Sequence, residues 1–173
     1  MDRITGNLTD LVRHIVDRHH AYVRSAAPAL LTWLDRLVDR HGAQHPELPA
    51  VRETFAELAA ELDAHMLKEE NILFPYIAEL AAAQANGSWM PSGPFGTVRN
   101  PIHVMENDHA LVGELAARLR TLSDGFATPA DADRTYRLCY QTLDEFVQDL
   151  HRHIHLEHTV LFPGAVALED TLS

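Results

Sequence analysis

Apolar residues recur every three or four positions along most of the chain, which is the spacing of amphipathic helices. The pattern continues on both sides of Pro28, so we expect that proline to kink its helix rather than end it. No stretch alternates between apolar and polar residues, and no sheet is therefore predicted. Two short connections and one long one between four helices are typical of an all-α, up-down four-helix bundle. The predicted elements are helices over about 8–41, 50–83, 101–124 and 129–166, with a long loop over 86–100.

An internal repeat divides the chain into two similar halves. Residues 64–75 match residues 152–163 at a constant offset of 88 positions. The aligned residues are His65 with His153, Glu69 with Glu157, and Leu73-Phe74-Pro75 with Leu161-Phe162-Pro163. A shorter match lies upstream at an offset of 89, and it aligns His20 with His109. We therefore predict two pseudo-repeated helical hairpins, each with one helix carrying His and one carrying His-x-x-x-Glu.

The His-x-x-x-Glu spacing places both side chains of each motif on nearly the same face of a helix. Leu62 and Met66 on the same or an adjoining face indicate that this face is the bundle interior, where an unpaired carboxylate is costly to bury. A bound cation would neutralise the carboxylates. By count, either His19 or His20 could belong to the site, and the match to His109 selects His20. The predicted metal ligands are His20, His65, Glu69, His109, His153 and Glu157.

Composition narrows the choice of metal. The chain has 12 His beside only 14 Lys and Arg, and its single cysteine, Cys139, cannot form a disulfide within the chain or build a thiolate site. Helical bundles build di-iron or di-manganese sites from inward-facing Glu and His. Nitrogen and oxygen donors without sulfur favour iron over zinc, with manganese as the second choice.

Three further residues are candidates for an outer layer around these ligands. Glu61 lies four residues before His65, and Asp108 directly precedes His109. Either carboxylate could accept a hydrogen bond from a ligand imidazole, and a solvated surface position explains each equally well. His155 is the third candidate.

Charge and the start of the chain bear on partners and location. A net charge of −11 disfavours binding to nucleic acid and to anionic membrane surfaces. No apolar run approaches the roughly 18 residues of a membrane span. The first residues, Met1-Asp2-Arg3-Ile4-Thr5, lack the apolar stretch of a signal peptide. We therefore expect one cytoplasmic domain over residues 1–173.

Several segments together resemble the hemerythrin-like HHE cation-binding proteins, and most closely the iron–sulfur cluster repair di-iron family, also called repair of iron centres. The resemblance covers about residues 8–166. It implies a non-haem di-iron centre with oxo or hydroxo and carboxylate bridges. The implied terminal ligands are His20, His65, His109 and His153, and the implied bridges are Glu69 and Glu157. The segments that carry the resemblance are Arg18-His19-His20, 65–75, Val104-Met105-Glu106-Asn107-Asp108-His109 and 153–163.

The resemblance implies protection or restoration of iron–sulfur clusters after nitrosative or oxidative damage, by redox cycling or iron delivery. NO, O2 and H2O2 are the expected ligands, and damaged iron–sulfur proteins are the expected partners. Many family members carry an N-terminal domain with paired cysteines. We expect no such domain here, because the chain begins almost at its first helix. The alternatives are an O2- or NO-binding or sensing module, a di-iron peroxidase or NO reductase, and a metal-free helical interaction protein.

Overall fold

A computed structural model describes residues 7–173, and the described residues form four long helices and no strand. This architecture confirms the predicted all-α bundle. Residues 1–5, on which the interpretation about a signal peptide rests, lie outside the described part of the chain. Helix α1 consists of Leu8–His14, a π-helical segment Ile15–His20, and Ala21–His41. Helix α2 consists of Leu48–Lys68, a π-helical segment Glu69–Leu73, and Phe74–Asn86. Helix α3 is Arg99–Leu122, and helix α4 consists of Arg134–Leu156, a π-helical segment Glu157–Leu161, and Phe162–Leu172.

Several helix ends differ from the predicted positions. Helix α2 ends at Asn86, where Gly87 adopts the left-handed conformation (φ 63°) that terminates many helices. Helix α3 begins at Arg99, so that Pro101 falls in its first turn. The fourth helix begins later than the predicted residue 129: Asp133 caps α4, and its side chain accepts a hydrogen bond from the Tyr136 backbone N–H at 2.9 Å.

Prolines inside the helices do not end them. Helix α1 continues through Pro28 to His41. In α2 and α4, the π-helical segment stops two residues before Pro75 and Pro163, respectively. Because proline has no N–H and its ring collides with the carbonyl four residues earlier in a regular helix, a wider turn at this place accommodates it.

Two apolar clusters fill the bundle, and a polar layer separates them. In α3, Met105 belongs to one cluster and Val112 to the other, with His109 between them. In α4, Leu150 and Leu161 are divided in the same way. The polar layer is thus enclosed along the bundle axis by close-packed side chains, which hold its residues in fixed positions.

Glu169 near the end of α4 fixes the long loop to the bundle. Its buried carboxylate accepts hydrogen bonds from Tyr76 Oη at 3.0 Å, Thr97 Oγ1 at 2.5 Å and the Val98 backbone N–H at 2.8 Å. Val98 precedes the first residue of α3. A carboxylate at a helix N-terminus also interacts favourably with the helix dipole. Glu169 therefore fixes the start of the helix that carries His109.

Candidate metal centre

The polar layer contains all six of the predicted ligand residues. His20 is the last residue of the π-helical segment of α1, whereas Glu69 and Glu157 are the first residues of those of α2 and α4. His109 lies on α3, which is α-helical throughout. All six side chains are buried, with exposed fractions from 0% to 5%: His20, His65, Glu69, His109, His153 and Glu157.

Both oxygens of the Glu157 carboxylate lie beside imidazole nitrogens. His153 Nε2 lies 3.0 Å from Glu157 Oε1, and His109 Nε2 lies 3.0 Å from Glu157 Oε2. Each carboxylate oxygen therefore lies beside an imidazole from a different helix of the second hairpin. The carboxylate can serve two metal ions at once from this position.

Glu69 occupies the equivalent place in the other half. Its Oε2 lies 3.2 Å from His20 Nε2, 3.4 Å from His65 Nε2 and 3.9 Å from His153 Nε2. One donor atom from each residue of the two His-x-x-x-Glu motifs lies within 4.8 Å of the other three. The two motifs thus meet at a single place inside the bundle.

The donor atoms at this place fit a cation. Both carboxylate oxygens of Glu69, Glu157 Oε2 and His20 Nε2 are buried and have no hydrogen bond within the described residues. Leaving such groups without a partner costs about 1–3 kcal/mol each, and more when they are charged. Imidazole nitrogen and carboxylate oxygen are donors that suit divalent iron, manganese or zinc. Metal coordination would satisfy these atoms together.

The protonation of the two carboxylates supports the same interpretation. Burial raises the pKa of Glu69, and the neighbouring Glu157 raises it further. Burial alone would also raise the pKa of Glu157, but His153 and His109 together hold it well below its usual value. Two carboxylates this close cannot both be charged at low cost without a positive ion between them.

Two of the buried histidines, His20 and His65, are neutral at physiological pH. Burial, and to a lesser extent the neighbouring His153, lower the pKa of His20 to about 4. Burial likewise lowers the pKa of His65 to about 4, with His109 and His153 acting in the same direction. Neutral imidazole is the form that binds metals. These residues are therefore ready to bind without first losing a proton.

Groups outside the cluster orient two of the imidazoles. Glu70 Oε1 accepts a hydrogen bond from His20 Nδ1 at 2.6 Å, and its carboxylate also pairs with Arg24 at 2.9 Å. Burial would raise the pKa of Glu70, but the hydrogen bonds from Arg24 and His20 lower it overall. In the other half, His109 Nδ1 lies 2.7 Å from His158 Nε2. Such contacts fix ring orientation and tautomer.

Of the three outer candidates, Asp108 lies beside a predicted ligand. Its Oδ2 is 3.5 Å from His65 Nδ1 and 2.8 Å from Lys68 Nζ. Glu61 is half-buried and has no hydrogen bond or ion pair with His65 in the described part of the chain. His155 is exposed on α4 and lines a surface cavity.

The sequence interpretation missed Glu70 and His158 as orienting groups. They stand at the same offset of 88 that relates Glu69 to Glu157, so the repeat itself was the signal. In each half, the residue after the buried Glu contacts the histidine on the other helix of the same hairpin: Glu70 contacts His20, and His158 contacts His109. His19 also lies against the cluster: its ring stacks on His153 with centroids 5.4 Å apart.

The fold and the cluster together define a four-helix bundle with an internal His/Glu cation site. A model of the hemerythrin HHE cation binding domain matches residues 11–165, and the chain belongs to this family. It is similar to the iron-sulfur cluster repair protein YtfE of Salmonella paratyphi B (strain ATCC BAA-1250 / SPB7) and of Salmonella newport (strain SL254). Each is 36% identical over 163 residues, covering 94% of this chain and 68% of the relative. No described helix combines the length and apolarity that crossing a membrane requires.

Proposed function

We propose that the six side chains hold a non-haem di-iron centre. The observation that carries the proposal is the buried convergence of four imidazoles and two carboxylates, several of whose donor atoms have no other partner in the described residues. In this assignment Glu69 and Glu157 bridge two irons, and His20, His65, His109 and His153 are terminal ligands. The family's cation-binding domain and the absence of sulfur donors among the six support iron over zinc.

The arrangement of the rings supports a specific division of ligands between the two irons. The centroids of His20 and His153 are 5.0 Å apart, and those of His65 and His109 are 4.7 Å apart. We assign the first pair to one iron and the second pair to the other. Each iron would then be held by one histidine from each half of the repeat, and Glu69 and Glu157 would supply the carboxylate donors.

The surrounding residues control what can happen at such a centre. Bound iron would supply one-electron redox chemistry at coordination positions that four protein donors per metal leave open. Glu70 holds the proton on Nδ1 of His20, which leaves Nε2 free to bind. Phe74 and Phe162 stack on His20 and His109 at centroid distances of 5.8 and 5.9 Å and limit the access of water. Small ligands such as NO, O2 and H2O2 fit a site enclosed in this way.

We further propose that the protein protects or restores iron–sulfur clusters in damaged proteins, by redox cycling or by iron delivery. The name of its relatives, iron-sulfur cluster repair protein, supports this role. On the basis of these proposed substrates, we keep the cytoplasm as the proposed location.

Metal content and the optical spectrum of purified protein test the di-iron proposal. We expect about two irons per chain and near-ultraviolet bands of a bridged iron pair, with loss of both in Glu69→Ala and Glu157→Ala. A metal-free or zinc-containing protein with an intact fold would overturn the redox role.

Reactivation of a [4Fe–4S] hydro-lyase inactivated by NO or peroxide tests the repair role, with isotopically labelled iron in the added protein to detect delivery. Recovery of activity that depends on Glu69 and Glu157 is the expected result. Reversible O2 binding without reactivation would indicate a gas-binding module instead. Multiple turnover of peroxide or NO with an electron donor would indicate an enzyme.

A further inference from the structure

A second polar site lies on the surface between α1 and α4. It is an open cavity of about 300 Å3, separate from the buried cluster of six ligands. None of its lining residues belongs to that cluster. The polar residues that line it are His14, Arg18, His19, Asp149, Arg152 and His155.

The one carboxylate in the cavity is already engaged. Asp149 Oδ2 accepts a hydrogen bond from His19 Nδ1 at 2.9 Å, and Asp149 Oδ1 pairs with Arg152 at 3.3 Å. Arg18 is exposed and forms no ion pair in the described part of the chain. The two guanidinium groups and the one carboxylate that line the cavity carry a net charge of +1, in contrast to the net charge of −11 of the whole protein.

The two arginines border the cavity from different helices. Arg18 lies on α1 and Arg152 on α4, and both line the same space of about 300 Å3. An anion in this space could therefore meet guanidinium groups from both helices.

We propose that this cavity binds a small inorganic oxyanion, of the class of phosphate, nitrate or nitrite. Guanidinium groups present a planar set of N–H donors that matches the oxygens of such anions, and they remain charged at every physiological pH. The exposed imidazoles of His14 and His155 supply further donors at the rim. The cavity volume accommodates an anion of this size with part of its hydration shell.

The oxyanion site adjoins the candidate metal centre through a single layer of side chains. The ring of His19 lines the cavity and stacks on His153 almost in parallel, at an interplanar angle of 5°. An anion in the cavity would therefore lie one imidazole away from a proposed iron ligand. Such a position suits a holding site for an anionic reactant or product of the metal centre.

Calorimetric titration of the metal-loaded protein with inorganic phosphate and with nitrate tests the proposal. The titration is run at pH 8, where the arginines remain charged and carry the binding. We expect saturable binding of at least one of the two anions, and no comparable effect of chloride. Arg18→Gln removes an exposed side chain without an ion pair in the described residues, and it should weaken binding about tenfold or more.

Arg36→Gln is the matched control. Arg36 lies on the same helix, is exposed and likewise has no ion pair in the described part of the chain. Its replacement should leave oxyanion affinity unchanged. Metal content and helical content should be the same in both variants, which separates this proposal from the di-iron proposal.

Three results would overturn the oxyanion site. The first is the absence of saturable binding by phosphate and by nitrate. The second is binding that Arg18→Gln leaves unchanged and that disappears when the metal is removed, because the anion would then be bound to the metal. Equal weakening in Arg18→Gln and Arg36→Gln would indicate general charge attraction and would count against the proposal as well.

Discussion

The hydrogen bond between Glu70 and His20 offers a direct test of how the centre is held together. Glu70 Oε1 accepts from His20 Nδ1 at 2.6 Å, a short distance typical of a charge-assisted bond. Glu70→Ala removes this acceptor but none of the six proposed ligands. His20 is completely buried, so its Nδ1–H would lose its partner in a place that water does not reach.

The expected cost follows from that geometry. A hydrogen bond to a charged group contributes about 1.5–3 kcal/mol, which corresponds to roughly a 10- to 100-fold change in an equilibrium constant. Loss of an orienting partner of a metal-bound histidine has effects of similar size. We expect Glu70→Ala to weaken the binding of the iron held by His20 and His153 by this factor. Glu70→Gln keeps an acceptor oxygen without the charge and should weaken it less.

Competition with a chelator measures this effect, with bound iron determined at each chelator concentration. The matched control is Glu61→Ala, which removes a half-buried carboxylate of the same helix that forms no hydrogen bond or ion pair with His65 in the described residues. Glu70→Ala should lose one iron at lower chelator concentration than the other, whereas Glu61→Ala should behave like the unmodified protein. Equal iron retention by all three proteins would refute the orienting role of Glu70.

Three other outcomes are expected. Glu169→Ala leaves the three hydrogen-bond donors around it without a partner, Tyr76 Oη among them. It should lower the free energy of unfolding by about 3 kcal/mol and the melting temperature by roughly 6–12 °C. A calorimetric shift of the melting temperature below about 2 °C would contradict this expectation. Burial raises the pKa of the Cys139 thiol to about 12, so a thiol reagent at pH 8 should react only after denaturation, and rapid labelling of the folded protein would show the thiol to be accessible. Because the pKa of Glu69 is raised and those of His20 and His65 are lowered, loading the metal at pH 7 should release about one proton, and metal affinity should increase with pH until Glu69 is ionised in the metal-free protein. Calorimetry in two buffers of different ionisation enthalpy measures the number of protons released. Release of three or more protons would contradict the neutrality of His20 and His65.

The fold was largely predictable because helical periodicity is a local signal. Apolar residues at spacings of three and four mark the faces that pack in the two clusters, and the connections limit how the helices can be arranged. The ends were less predictable, because capping depends on particular local contacts. Asp133 caps α4 through one hydrogen bond to Tyr136, and the earlier Thr128-Pro129 segment contains equally suitable residue types.

The repeat also indicated which histidines and glutamates meet in the polar layer. It could not indicate the outer contacts, because these join different helices and depend on how the helices are rotated. Glu70 looked like a surface charge beside Glu69, and only the packing of α1 against α2 places it on His20. For the same reason, the spacing of four residues between Glu61 and His65 could not reveal that the two side chains form no hydrogen bond or ion pair in the described residues.

The π-helical turns bear on the history of this chain. A π-helical turn is in effect a one-residue insertion that a helix has absorbed. The turns that begin at Glu69 and Glu157 are 88 residues apart, whereas the turn ending at His20 faces a regular α-helix around His109. This turn lies before His20, so the change of repeat offset from 89 to 88 arises after it, between residues 23 and 65 of the first half. The pattern fits duplication of an ancestral hairpin that already carried the Glu-initiated turn, followed by an insertion or deletion in one copy of its first helix.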